Sequence, residues 1–320
     1  MAETRILIQN GGEIYSPVTV GKTKLELSRK GSPGRLEFNV LKDGVIDFTE
    51  GNCVTLSVGE AVVFSGYVFS KRRTKDGVIG VTAYDQLRYL KNRDTFVGEG
   101  ITASELIRRL SEDYRLRLGE IEDTGYVIDI IDEQDRTLFD IMQGALDETF
   151  ENTGRRFVLY DDAGRLTLKN INSLRLDTVI DKESARDIRY ESGIDEGTYN
   201  VISLVHSDKR SGINERFTAK DEEGIKKWGV LGFYARIGDD TGATERARTL
   251  LSVYKSKKRR LSVRGAFGDA RVRGGSVMPV SLDLGDIVQN GYMTAERVTH
   301  IFEGGGHFMD LTLGGGDFVV

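Results

Sequence analysis

Over the first 92 residues apolar and polar side chains alternate with a period of two. Arg5-Ile6-Leu7-Ile8 and Glu13-Ile14-Tyr15 flank Asn10-Gly11-Gly12, a strong short-range hairpin signal. Leu25-Glu26-Leu27, Leu36-Glu37-Phe38-Asn39-Val40 and Val54-Thr55-Leu56-Ser57-Val58 continue the alternation, and Lys42-Asp43-Gly44 and Lys75-Asp76-Gly77 supply turns. Strands of this kind bury one face and turn the other toward water or a partner, so the stretch predicts a small β-barrel or sandwich.

From 93 to 190 the period lengthens. Thr102-Ala103-Ser104-Glu105 reads as a capping box, followed at helical spacing by Leu106, Ile107, Leu110 and Tyr114. A second helix is predicted to start at Thr137, with Asp140 three residues on, an apolar stripe of Leu138, Ile141, Met142, Ala145 and Leu146, and Gly154 as its stop. Phe157-Val158-Leu159-Tyr160, the turn Asp161-Asp162-Ala163-Gly164 and Leu166-Thr167-Leu168 form a hairpin, which makes the stretch a small α+β unit. From 191 to 320 strands return around a helical insertion at about 218–260. Its main helix carries Ala243, Ala247, Leu250, Leu251 and Tyr254 on one face and runs into Lys255-Ser256-Lys257-Lys258-Arg259-Arg260. Gly285 to Gly314 reads as strand, strand, glycine turn and strand.

The outer stretches echo one another. Asn52–Leu56, Val63–Val68 and Val78–Ala83 follow the same order and spacing as Gly285–Val288, Gly291–Val298 and Met309–Leu313. Two copies of one β-unit around an α+β insert is the organisation this implies.

Composition agrees with many short strands. Of 320 residues 38 are Gly and only 3 are Pro, and tight turns between antiparallel strands need the positive φ that Gly supplies. A net charge of −5 argues against a general nucleic-acid binder. The single Cys53 can make neither an internal disulfide nor a cysteine zinc site, and a small hydrophobe's role in a strand suits it. There is no secretory leader pattern at the start and no apolar run of membrane-span length, so a soluble protein made in a reducing cytosol, without membrane anchoring, is expected.

A search for chemistry yields no catalytic, cofactor-binding or metal-binding residues. Nucleophile elbow, metallopeptidase, P-loop and dinucleotide motifs are all missing from the sequence. His206, His300 and His307 are the only histidines. A three-residue loop at Gly304-Gly305-Gly306 would pair Glu303 with His307 and His300 with Asp310, sending the two imidazoles to opposite faces. The carboxylate pairs have structural explanations: Asp161-Asp162 a turn, Glu222-Glu223 the first turn of a short helix capped by Thr218, and Asp239-Asp240 the lead into the helix of Ala243. The run Lys255–Arg260 reads as a helix C-terminus, where cations meet the negative end of the macrodipole.

Three segments together resemble the XkdQ-type tail proteins of phage-like and contractile-tail particles, relatives of baseplate hub and late-control D proteins. The first is Phe64-Ser65-Gly66-Tyr67-Val68 with Val81-Thr82-Ala83-Tyr84-Asp85 and Leu87-Arg88-Tyr89-Leu90. The second is the α+β stretch with its Ile101-Thr102 and Leu138 helix starts. The third is Val298-Thr299-His300-Ile301-Phe302 followed by His307-Phe308-Met309-Asp310-Leu311-Thr312-Leu313. The resemblance implies a mainly β fold, with two tube-like antiparallel β-barrel domains (1–92 and 191–320) flanking a small α+β domain (93–190). It also implies a structural baseplate hub without cofactor: a homotrimer joining a sixfold tail tube protein to a trimeric central spike protein among other baseplate proteins. DNA or a tape-measure protein would pass its channel without specific binding. Such a protein is made in the bacterial cytoplasm, assembled into a virion or tail-like particle and released by lysis. The rival readings are a peptidoglycan hydrolase, which needs convergent carboxylates or a Cys–His pair, and a peptidoglycan-binding module, which needs exposed aromatics beyond the single Trp228.

Overall fold

The Asn10-Gly11-Gly12 signal becomes a two-residue turn between β1 (Thr4–Asn10) and β2 (Glu13–Tyr15), with Asn10 opposite Glu13. The structure is a computed structural model that describes residues 3–207, 214–238, 240–285 and 288–315. Next come β3 (Thr23–Ser28), β4 (Arg35–Leu41), β5 (Cys53–Val58), β6 (Ala61–Arg73) and β7 (Val78–Tyr84). Their alternate positions Leu25, Leu36, Phe38, Val40, Val54, Leu56, Phe64, Ile79 and Val81 meet in one buried cluster. Lys75-Asp76-Gly77 turns β6 into β7 as expected. Lys42-Asp43-Gly44 does not make a hairpin, because β4 pairs with β7 rather than with β5. The Asp43 carboxylate instead accepts the amides of Val45 and Ile46 and shapes a longer loop.

Asp85 caps a 3-10 turn, Gln86–Lys91, that leads into the α+β unit. This consists of β8 (Arg93–Thr102), α1 (Ala103–Asp113), β9 (Leu118–Ile121), β10 (Val127–Thr137), α2 (Leu138–Thr153), β11 (Phe157–Asp161) and β12 (Leu166–Asn170). Both helix starts follow the reading above. Thr102 Oγ1 accepts the Glu105 amide at 3.2 Å while Glu105 accepts the Thr102 amide at 2.8 Å, and Thr137 Oγ1 accepts the Asp140 amide at 3.1 Å. Gly154 ends α2 in the left-handed conformation, φ 71°. The stripes of α1 and α2 pack with Ile128, Phe157, Leu166 and Leu168.

β13 (Asp187–Gly193) returns to the large sheet. An inserted unit follows: β14 (Val201–Ser207), β15 (Asn214–Lys220), α3 (Glu222–Trp228), β16 (Gly232–Ile237) and α4 (Ala243–Tyr254). It builds its own three-stranded sheet, β14 pairing antiparallel with β15 and parallel with β16, over a core of Ile202, Leu204, Ala247 and Leu250. Two readings are corrected here. The residue at the N-cap of α3 is Asp221, with no side-chain bond, because Thr218 lies inside β15. The basic run is a helix end only at Lys255, the C-cap of α4, whose amide donates to the Leu251 carbonyl; α4 stops at Tyr254, and Lys258 already opens β17 (Lys258–Phe267), whose backbone pairs on both sides. The chain closes with β18 (Val277–Asp283), β19 (Val288–Glu303) and β20 (Gly306–Gly315).

The architecture is mainly β, two antiparallel barrel units flanking the α+β unit. Twelve strands share one sheet, in the order β13-β17-β20-β19-β3-β4-β7-β6-β5-β1-β2, with β18 also on β19. The two barrel units are therefore joined by backbone pairing, β19 against β3, and Phe302 of the second unit lies in the core of the first.

Candidate assembly surface

The two halves of this sheet repeat one plan. The first runs β3-β4-β7-β6-β5 and the second β13-β17-β20-β19-β18, every pair antiparallel. Taken in order of appearance along the chain, both are arranged first, second, fifth, fourth, third. Each fourth strand is long and carries a bulge at the same place, between Val68 and Ser70 in β6 and between Ala295 and Arg297 in β19. Bulges are positional features of a fold, so the coincidence sets the alignment of the repeats. It puts Glu26 opposite Arg35 in one half and Glu191 opposite Arg260 in the other.

The sequence echo was correct in kind and displaced by one strand. The counterpart of β5 is β18, not Gly285–Val288, of which Asp286 and Ile287 lie outside the described residues and Gly285 and Val288 flank the β18–β19 connection. Pro279 disguised β18, since proline is rare in paired strands. It is accommodated because the free side of β18 meets only isolated parallel bridges from Arg175 and Ile180, and the Ile180 amide donates to the Pro279 carbonyl.

One face of the sheet is core and the other is polar. On the polar face Arg35 is ion-paired with both Glu37 and Glu26, and Arg297 reaches Glu26 at 3.7 Å across the β19–β3 joint. A shallow groove of about 510 Å³ runs over this face, lined by Lys22, Lys24, Glu37, Asn39, Arg72 and Thr82 among others. Arg260, from the basic run, is exposed on it opposite Glu191.

The titratable groups singled out earlier are placed as follows. His300 and His307 do not diverge. The connection is a two-residue turn at Gly304 and Gly305 (φ 57° and 77°), so Glu303 faces Gly306 and Phe302 faces His307. Two successive left-handed glycines suit this tighter turn, and the one-residue change in register flips His307 onto the face of His300. His300 Nδ1 lies 2.9 Å from His307 Nε2, and His300 Nε2 lies 2.8 Å from the Val272 carbonyl. Burial first, then His307, holds His300 down to about 4, and burial also lowers His307. The anticipated His–carboxylate pairs do not form, since His300 faces Met309 and Asp310 accepts the Gly265 amide instead.

Asp161 accepts the Gly164 amide in its turn, and Asp162 pairs with Arg273 at 3.0 Å. Asp240 accepts the Ala243 amide through its carbonyl, while Asp239 lies outside the described residues. Cys53 is half-buried in β5, His206 Nδ1 lies 3.3 Å from the Ile237 carbonyl, and Lys227 sits over the Trp228 ring. Among the described residues no group of three or more His, Cys, Asp or Glu is placed to hold a metal ion.

Sequence reasoning missed one buried carboxylate. Asp85 accepts the amides of Gly34 and Leu87, tying the β3–β4 loop to the α+β unit, and burial raises its pKa well above normal. The signal available was an Asp directly before a short apolar turn, the N-cap pattern.

A family model described as YQBQ-like matches residues 23–314. The phage-like element PBSX protein XkdQ of Bacillus subtilis is 28% identical over 269 residues, which span 82% of this chain and 81% of that protein. The 43 kDa tail protein of prophage MuSo2 from Shewanella oneidensis superposes with a TM-score of 0.70 at 14% identity, covering 97% of this chain and 98% of that one. A type VI secretion system component of E. coli, described as structurally similar to the T4 bacteriophage tail proteins gp27 and gp5, superposes with a TM-score of 0.54 at 12% identity, covering 97% of this chain and 75% of that one. At these identities the two structures establish a shared fold.

Proposed function

Since the chain belongs to the YQBQ-like family and is a phage-tail, baseplate-like structural protein, we propose that it acts as a hub in which three copies form a ring. The ring joins a sixfold tail tube to a trimeric spike. The observation that carries this reading is the repeated five-strand plan. Three copies with two similar units each offer six similar surfaces to a sixfold neighbour, while the ring keeps threefold symmetry for a spike. Open sheet edges favour the same outcome, because an unpaired edge is a liability that cyclic assembly removes.

Within this reading the domains are 1–92, 93–190 and 191–320, with the helical insertion around 218–260. Separate apolar clusters support the order of these units, but Ile180, Ile188 and Tyr190 pack with the second barrel, which therefore begins before 191, and the insertion packs as one body from β14 to α4 rather than from 218 to 260. The protein works without catalysis or cofactor, as a wall and a joint. It is made in the bacterial cytoplasm, assembled with other baseplate proteins and released by lysis, and the channel passes DNA or a tape-measure protein without holding it. No helix of the described residues is long and apolar enough to cross a membrane.

Light scattering of the purified chain tests the ring. The expected mass is three times 35.6 kDa, about 107 kDa. A monomer or an even-numbered oligomer across the accessible concentration range would refute it. A peptidoglycan-release assay is expected to show no turnover.

A further inference from the structure

Four units of the fold meet at one cleft, and the charges there do not balance. The cleft, of about 180 Å³, is lined by Arg29 and Lys30 after β3, by Asp147 and Glu151 of α2, by Arg156 before β11 and by Tyr254 at the end of α4. Lys258, the first residue of β17, stands over the Tyr254 ring, 5.1 Å from its centre.

The carboxylates of this region are already engaged. Glu296 accepts from Arg29 Nε at 2.8 Å, Glu151 is ion-paired with Arg246, and Asp147 accepts from the Gln143 side-chain amide at 2.8 Å. Arg156 has no such partner. Its guanidinium lies over the Phe150 ring, 4.5 Å from the centre, and among the described residues no hydrogen bond or ion pair reaches it. The same is true of the Lys258 ammonium. The Arg29 side chain, only 13% exposed, is held through Nε, which leaves its two terminal nitrogens uncommitted.

Taking a cation out of water without a counter-charge is costly, and the half-buried Arg246 and Arg273 are each matched to a carboxylate. The imbalance is felt by both unmatched groups. Burial first, then Arg29, lowers the pKa of Arg156, and burial first, then Arg156, lowers that of Lys258. Burial first, then Glu151, raises the pKa of Tyr254, so its hydroxyl remains a donor.

We propose that this cleft binds a phosphate-class oxyanion, held by the Arg156 guanidinium, the Lys258 ammonium, the terminal nitrogens of Arg29 and the Tyr254 hydroxyl. The donor set favours a tetrahedral anion over a carboxylate. Its members arrive from four separate elements, whereas a planar carboxylate is met best by one guanidinium fork in its own plane. An anion here touches the first barrel unit through Arg29, the α+β unit through Arg156, the insertion through Tyr254 and the second barrel unit through Lys258. The apolar cores of those units are separate, so the anion fastens them to one another. Asp147 and Glu151 on the α2 side keep the affinity modest.

Titration of the phosphate-free full chain with inorganic phosphate tests the site, with ionic strength held constant by chloride. Phosphorus NMR line broadening and the rise in melting temperature read the binding. One saturable site per chain is expected, with a dissociation constant on the order of 1 mM. Arg156→Gln should weaken it by about tenfold or more and Lys258→Gln by a smaller factor. Arg189→Gln, exposed on β13, should leave it unchanged. Arg156→Lys keeps the charge beside Phe150 and covers the case in which Arg156→Gln does not fold; it should still weaken binding several-fold, because the fork is lost. AMP in place of phosphate separates the sources. Tighter binding of AMP supports a nucleotide phosphate and weaker binding supports free phosphate, in each case with the same loss in the Arg156 variants. No saturable binding, binding unchanged by both substitutions at 156, or acetate competing as well as phosphate would overturn the proposal.

Discussion

Acid should loosen the second barrel unit through one imidazole. His300 is buried against His307 and the Val272 carbonyl, and its pKa falls to about 4 from an ordinary 6.5. The folded protein therefore keeps it neutral where the unfolded chain would already have protonated it. Stability from this site is complete above the unfolded value and is lost as pH falls from there toward the folded value. Between about pH 7 and about pH 4.5 the loss comes to about 2–3 kcal/mol from His300 alone, and the lowered His307 acts in the same direction. His300→Gln keeps a donor for the Val272 carbonyl and removes the titration. Urea unfolding followed by circular dichroism at a series of pH values reads the difference. Wild type should lose about 2–3 kcal/mol more than the variant on going from about pH 7 to about pH 4.5. Equal pH slopes for the two proteins would refute the reasoning and move the acid response to other groups.

Gly66 sits where β6 crosses close to β7, and a Cβ there would fall inside contact distance of the Tyr84 carbonyl and the Phe64 ring. Gly66→Ala should cost at least about 2 kcal/mol in urea unfolding, while Gly232→Ala, which meets nothing within 4 Å, should stay within about 0.5 kcal/mol. Thr102→Ala removes one half of the α1 capping box and should cost about 1 kcal/mol, with the helical circular dichroism of the folded protein retained.

Local features were legible wherever local physics decides them. The Gly11-Gly12 turn, the Thr102 box, the Thr137 cap and the Gly154 stop depend on residues within a few positions of one another, and each appears as read. The His300–His307 contact was misread for want of a single residue of turn length, because side chains alternate faces and one step of register reverses them. Thr218 was misplaced because a strand and a helix start are alike in so short a window. Asp85 could be suspected as a cap, but its second bond, to Gly34, spans fifty-one positions of chain.

What the chain pattern determined by itself was the inventory: alternating strands, two capped helices, glycine turns, and two similar β-units around an α+β unit. What only the tertiary structure decided was the pairing. The sequence carries no local mark that β19 must meet β3, that β14 must lie parallel to β16, or that β18, interrupted by Pro279, is the partner of β5 in the repeat. Alternation specifies which face of a strand is buried but not which strand lies beside it. Every strand offers the same backbone donors and acceptors, so neighbours are chosen by the packing of buried side chains brought together from distant parts of the chain.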